Sequence, residues 1–238
     1  MRSLPALLLL VLLKAVSRLF FRFKVEWVGK VPEDPWDDLR IIAVLHHTSL
    51  YEPVFAAILP NHMLWRIARD AVVPIASKTM ERRGAGWMFR FVGRRVISVS
   101  RKRDLTWEKV LSYCCGPKAL TIIFPEGRMM RRTGLDVDGR PLTVKAGVAD
   151  LIGGIDSGRM LLAYSGGLHH VAAPGDRFPR LFQEISMRLE VLDILEYREQ
   201  MGGTQDMDRF RRRVVEDLTQ RRNRHAPLRG PTLPQWAA

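Results

Sequence analysis

The chain has little cysteine, too few acidic residues to balance its basic ones, and little continuous apolar sequence. Each shortage narrows what it can be. Its two cysteines, Cys114 and Cys115, are adjacent. Neighbours in sequence make a poor intrachain disulfide and an incomplete metal site, so they read as buried thiols in a reducing compartment. No internal repeat or low-complexity tract is present, and 238 residues suit a single globular unit with appendages. Apolar residues are 47% and charged residues 26%, which fits neither a disordered chain nor a polytopic membrane protein. Only 25 acidic residues face 38 basic ones, a net charge of +13. That excess suits an anionic partner: nucleic acid, an acidic lipid surface or a phosphorylated substrate.

The one sustained apolar run, Leu4 to Leu13, is well short of the ~20 residues that carry a helix across a bilayer. Lys14, Arg18 and Arg22 follow at intervals of four, which places them on one helical face, among Val16, Leu19, Phe20 and Phe23. Residues 1–23 therefore read as an interfacial helix that dips into one leaflet and keeps its cations at the head groups. A buried core helix is the alternative. A cleaved secretory signal is another, but no small-x-small cleavage site precedes Lys14.

Past residue 23, β-branched runs alternate with helix-like segments, the pattern of an α/β fold. The expected strands are Phe23–Val28, Arg40–His46, Met63–Arg69, Arg95–Val99, Ala119–Phe124, Met160–Tyr164 and Glu184–Leu192. The expected helices are Pro53–Leu59, Gly84–Phe91, Leu105–Cys114, Lys145–Ile152 and Asp206–Arg221. Residues 24–225 form the expected catalytic domain. Met129 to Pro141 reads as a long loop beside the site, and the proline-rich residues 226–238 as an extended tail.

The segment VLHHTSLYEPVF, residues 44–55, concentrates proton-handling groups where a strand should hand over to a helix. His47 and Glu52 are five apart, about 140° from each other on a regular helix, and could not cooperate on one. Pro53 favours the first helical position and so leaves His47 to Glu52 as a bend, where the two side chains can meet. A carboxylate on one imidazole nitrogen fixes the tautomer and frees the other nitrogen to act as a general base. Glu52 also fits a helix N-cap, and Ser49-x-x-Glu52 a capping box. A second island, LTIIFPEGRMMRR (residues 120–132), ends a buried strand in a Pro-Glu-Gly turn at the sheet edge where open α/β folds hold ligands. Glu126 and Arg128 are candidates there, against the alternative of a turn closed by an ion pair.

Together, HHTSLYE, GRRVISVSRKR and FPEG resemble, in order, three motifs of the glycerolipid acyltransferases, the group that contains lysophosphatidate acyltransferase. The resemblance covers roughly residues 40 to 165. It implies a mixed β-sheet flanked by helices, an αβ sandwich on the cytoplasmic face of a membrane. It implies His47 as base, Glu52 in the place of the family's aspartate, and Ser49 at the motif serine. Arg101, Glu126, Gly127 and Arg128 would shape the acceptor and acyl-donor site, and Lys145 would open the following helix. The acyl thioester, acyl-CoA or acyl carrier protein, is a co-substrate, and no resident cofactor or metal is implied. A lipid hydroxyl deprotonated by His47 would attack the thioester, with the oxyanion met by N–H groups near Gly127. Arginine forks suit phosphate, so Arg94, Arg95 and Arg103 join Arg101 and Arg128 as head-group candidates.

Two departures matter. Glutamate replaces aspartate, which keeps the charge and lengthens the reach, and Arg128 sits one place early after Phe-Pro-Glu-Gly, which favours a lysophospholipid with a different head group or a non-phosphorylated acceptor. Near residue 165, Gly166 and Gly167 with His169 and His170 read either as an acceptor pocket or as a tight turn with exposed histidines. Two other functions stand beside acyl transfer. One is a metal hydrolase built on the His-His pairs and Glu52; the other is a basic nucleic-acid-binding protein, which charge supports but no stacking or groove-reading motif does.

Overall fold

The computed structural model describes residues 3–76, 95–99 and 105–228. Helix α1 (Ser3–Phe20) leads into β1 (Arg22–Trp27) and β2 (Leu39–Leu45), followed by a 3-10 helix (Glu52–Ile58). Next come α2 (Asn61–Asp70), β3 (Ala71–Ala76), β4 (Arg95–Val99), α3 (Leu105–Cys114) and β5 (Leu120–Ile123). The chain continues through α4 (Gly147–Gly154), β6 (Arg159–Ser165), β7 (Glu184–Asp193), α5 (Ile194–Gln200) and α6 (Met207–His225). The expected helix Gly84–Phe91, together with Arg94, Arg101 and Arg103, lies outside the described residues, as does the side chain of Arg95.

The strands form one seven-stranded sheet in the order β1-β7-β6-β2-β5-β3-β4. Neighbours run parallel except β6 and β7, which are antiparallel. Strand β2 is central and buried at every position. Its alternating side chains serve two cores. Ile42 and Val44 pack with Leu10, Phe55 and Met63 of the α1–α2 layer; Ile41, Ala43 and Leu45 pack with Val110, Ile152 and Phe210 of the α3–α6 layer. A strand covered on both faces reads as a continuous apolar run, which is why LRIIAVL is legible without alternation. The mixed sheet between helical layers is the fold expected from the sequence.

One expected strand is a helix. Met63–Arg69 lies inside α2, where Met63, Leu64, Ile67 and Ala68 are buried at a spacing of three to four, the helical period. The strand is the next segment, AVVPIA. Its Pro74 lies beyond the Ala71–Val72 pairing with β5 and pairs only toward β4, so the missing donor leaves the inner ladder intact. Helix α5 was not expected. Asp193 caps it by accepting from Leu195 and Glu196 N–H groups.

Helix α1 lies against the protein through Ala6, Leu10 and Ser17. Its cations were expected at lipid head groups, and the structure turns two of them inward. Lys14 Nζ donates to Leu59 O at 2.7 Å and to Asn61 Oδ1 at 2.8 Å, and Arg18 Nε donates to Ala57 O at 2.9 Å. The physical reason is that carbonyls at the end of a short helix lack intrahelical donors. Leu4, Leu8, Val11, Leu12, Val16 and Leu19 form an exposed apolar face opposite these contacts. By length and composition α1 could cross a membrane.

Three arginines of the basic C-terminal helix are paired with acids of the chain. Arg211 meets Asp150 and Asp208, Arg221 meets Glu190 and Asp217, and Arg222 is buried against Glu126. These three charges are therefore engaged within the protein.

Candidate active site

The bend after β2 is held by backbone donors. His46 adopts φ +66°, unusual for a residue with a side chain, and this turns the chain out of the strand. The N–H groups of His46 and His47 donate to Glu126 Oε1 and Oε2 at 2.8 and 3.2 Å, and Met130 N–H donates to His47 O at 2.8 Å. Thr48 and Ser49 N–H groups both donate to Glu52 Oε1, at 2.9 and 3.0 Å. Thr48 Oγ1 in turn accepts from Leu168 N–H. Each N–H freed by leaving the sheet thus finds an acceptor.

His47 and Glu52 are brought together. Nδ1 of His47 lies 2.9 Å from Glu52 Oε1. The approach is off the N–H axis, so the contact is an ion-pair contact and not a straight hydrogen bond. The His47 side chain is 15% exposed, enough for a substrate to touch it, while Glu52 is buried. Burial opposes charging the imidazole, but the Glu52 carboxylate, with a smaller share from Glu126, outweighs it. His47 therefore keeps its proton to a higher pH than an ordinary histidine. The capping alternative is half realised, because Glu52 reaches back to the Ser49 N–H as in a capping box, yet the same oxygen serves His47.

The other expected residues divide. Glu126 has both oxygens engaged by the bend, and Arg222 Nη1 lies 3.3 Å from Oε1. In this structure it braces the bend from within. Arg128 pairs with Asp136 at 2.6 Å and with Asp138, which is the ion-paired turn named as the alternative. Ser49 is buried, with Oγ donating to Ala172 O at 2.7 Å. Gly127 has φ +65°, which glycine permits, but its N–H donates to Phe124 O at 2.9 Å. That N–H is therefore engaged within the turn. Lys145 N–H donates to Pro125 O and Nζ to Thr143 Oγ1. Arg101 lies outside the described residues.

A cavity of about 820 Å³ opens beside the Phe-Pro-Glu-Gly turn, lined among others by Trp107, Phe124, Gly127, Arg128, Lys145 and Arg212. His47 is not among its lining residues. Phe124 is shared, since its ring lines the cavity and stands 4.5 Å from the imidazole centroid.

The histidines near residue 169 are not exposed as the tight-turn reading expected. His169 is buried with Nε2 against Met130 O, and His170 sets Nε2 against Glu184 O. Burial pushes the His169 pKa down. His46 likewise sets Nδ1 against Ser165 O, and its pKa is lowered by burial. Three of the four imidazoles of the two His-His pairs are set against carbonyls and His47 against Glu52, and among the described residues no three His, Cys, Asp or Glu side chains converge as a metal site. The glycine pair packs closely against protein atoms. A side chain at Gly166 would meet Pro227 O at 2.4 Å, and one at Gly167 would meet the His46 ring at 3.1 Å. Gly166→Ala is expected to cost about 1–3 kcal/mol by overpacking, read as a lower urea midpoint.

Arg222 was not foreseen. Phe210, Val214, Leu218 and Arg222 recur every four residues and share the buried face of α6. That spacing was the available signal, because an arginine in line with core residues is not a solvated one. Its guanidinium also donates to Leu142 O at 3.0 Å.

No curated protein matches the sequence. Among solved structures, the 1-acyl-sn-glycerophosphate acyltransferase of Thermotoga maritima is similar at 18% identity and a TM-score of 0.45, covering 87% of this chain and 77% of that one. The Acyltransferase family model matches residues 22–156, from β1 through α4, and so takes in both the His47 bend and the Phe-Pro-Glu-Gly turn. With more than half of its length matched, the chain belongs to the Acyltransferase family.

Proposed function

We propose that this enzyme moves a fatty acyl group from an acyl thioester to the hydroxyl of a lysophospholipid or related lipid at a membrane surface, with His47 as the general base. The observation that carries this reading is the 2.9 Å approach of His47 Nδ1 to Glu52 Oε1 beside a partly exposed imidazole. His47 takes the acceptor's proton as the hydroxyl oxygen attacks the thioester carbonyl. The tetrahedral intermediate then collapses with loss of thiolate, which regains a proton from the imidazolium. Glu52 stabilises that imidazolium and holds the ring. A thioester is labile enough that no covalent acyl-enzyme is required. Ser49, Glu126, Gly127, Arg128, Lys145 and Arg101 remain proposed to shape the substrate site, Arg101 on the resemblance alone.

The outward apolar face of α1 supports association with a membrane, on the cytoplasmic side in this reading. A helix with such a face places the site where lipid acceptors are. The test supplies purified protein and vesicles with a long-chain acyl-CoA and lysophosphatidate, with other lysophospholipids and glycerol in parallel. Thiol release that depends on a lysophospholipid is expected. Release with glycerol alone, or thioester hydrolysis indifferent to acceptor, would overturn the lipid-acceptor reading.

A further inference from the structure

Exposed aromatic side chains recur away from the site, in the loop between β6 and β7. The segment RFPRLF, residues 177–182, leaves Phe178 73% and Phe182 67% exposed, with Leu181 also exposed. Single exposed apolar residues need no explanation, but these are fixed in place and adjoin another apolar surface. Phe182 holds φ +61°, a conformation that costs a bulky residue free energy and persists only where its surroundings impose it. Its N–H donates to Phe20 O at 2.7 Å, and the two rings lie 5.9 Å apart. Phe182 therefore stands at the C-terminal end of α1, against Phe20, whose chain neighbour Leu19 is 70% exposed.

Charge selects what covers this surface. Arg177 and Arg180 flank the aromatics, and the Arg177 guanidinium sits 5.6 Å over the Phe178 ring. Asp176, the acid of the loop, is engaged by Arg132 and by the Ala173 N–H. Aromatic rings interleaved with arginine fit the interfacial zone of an anionic leaflet, where rings enter the acyl boundary and cations meet phosphates. The loop is also tied to the site. Arg180 N–H donates to Val171 O at 2.8 Å, and the next carbonyl, Ala172 O, accepts from Ser49 Oγ at 2.7 Å.

We propose that residues 177–182 are a second membrane-contact element, which inserts Phe178 and Phe182 into an anionic phospholipid leaflet beside α1 and sets the His47 bend against the bilayer. The link to acceptor delivery rests on the proposed function; the lipid contact does not.

The test uses the full chain and flotation with vesicles of phosphatidylcholine alone or mixed with phosphatidylglycerol. Phe178→Ser/Phe182→Ser should weaken binding to both by at least about tenfold, the loss expected for one well-inserted phenyl group. Arg177→Gln/Arg180→Gln should weaken binding to the anionic vesicles by about 25-fold, at about fivefold per arginine, and leave phosphatidylcholine binding unchanged. Because Phe182 packs on Phe20, the single Phe178→Trp variant supplies a readout that a folding defect cannot imitate. Its emission should shift to the blue on adding vesicles and be quenched by brominated lipid. If the serine variant floats like wild type, the proposal is wrong. If Phe178→Trp emission ignores vesicles but shifts with protein concentration, the surface belongs to a second copy of the chain, and the proposal is again wrong. Vesicle binding that changes as expected in a protein with no acyl transfer to any acceptor would sink the proposed function and leave the membrane element standing. In an active enzyme, the serine variant should raise KM for vesicle-borne acceptor and leave turnover on detergent-dispersed acceptor unchanged.

Discussion

His47→Ala is expected to lower kcat by about 10²–10⁴-fold, the usual contribution of a positioned general base, with little change in urea midpoint in mildly alkaline buffer. The base must be neutral to accept a proton, and Glu52 raises the pH at which it becomes so. The acid limb of the kcat/KM profile should therefore lie above the ordinary histidine value of 6.5. Glu52→Gln should move that limb down and reduce kcat, because a neutral amide cannot stabilise the imidazolium. Glu52→Asp should keep part of the activity, since the charge persists while the reach shortens.

Stability has the opposite pH dependence. The folded-state pKa of His47 is raised, so its charged contact with Glu52 adds stability that is full below 6.5 and is lost as pH rises through the folded value. With His47 as the base, activity is expected to be highest where this contact stabilises the enzyme least. A His47→Ala enzyme with near wild-type turnover would remove the base assignment, and an acid limb unmoved by Glu52→Gln would separate the two residues.

The second large effect is expected at Arg222→Met. Arg222 and Glu126 are both almost wholly buried, and removing one partner leaves the other charge uncompensated, at about 3–5 kcal/mol. Urea unfolding reads this directly. Glu126 also accepts the His46 and His47 N–H groups, so loosening it should lower kcat more than it raises KM. The double variant Glu126→Gln/Arg222→Met should lose less stability than the two single variants together, because neither charge is then left alone. Additive losses would mean that the pair is not coupled. A wild-type midpoint in Arg222→Met would mean that Glu126 holds the bend unaided.

Much of the fold could be read locally. The buried strand LRIIAVL, the helix Leu105–Cys114 and the strand Arg95–Val99 carry their own periodicity or β-branched content. The segment after Pro60 misled because a short apolar run allows both periods. Only its seating on the first core, through Met63, Leu64 and Ile67, selects the helix. The cations of α1 misled for another reason, since a helical face says which residues lie together but not whether it meets lipid or carbonyl oxygens.

The site shows the same division. That His47 and Glu52 meet was legible because Pro53 limits where the helix can start and the pair are close neighbours in the chain. That Glu126 is a brace, that Gly127 N–H closes its own turn, and that Arg222 completes the arrangement were not legible, because each depends on where distant segments are carried. Glu126 meets His46 across 80 residues and Arg222 across 96.

By itself the sequence determined the α/β layering, the bend that joins imidazole to carboxylate and the family. The tertiary structure alone decided which polar groups stay partly exposed and which are consumed in holding the bend. The physical reason is that a buried donor or acceptor takes whatever partner the packing brings within about 3 Å, and packing is a property of the whole chain.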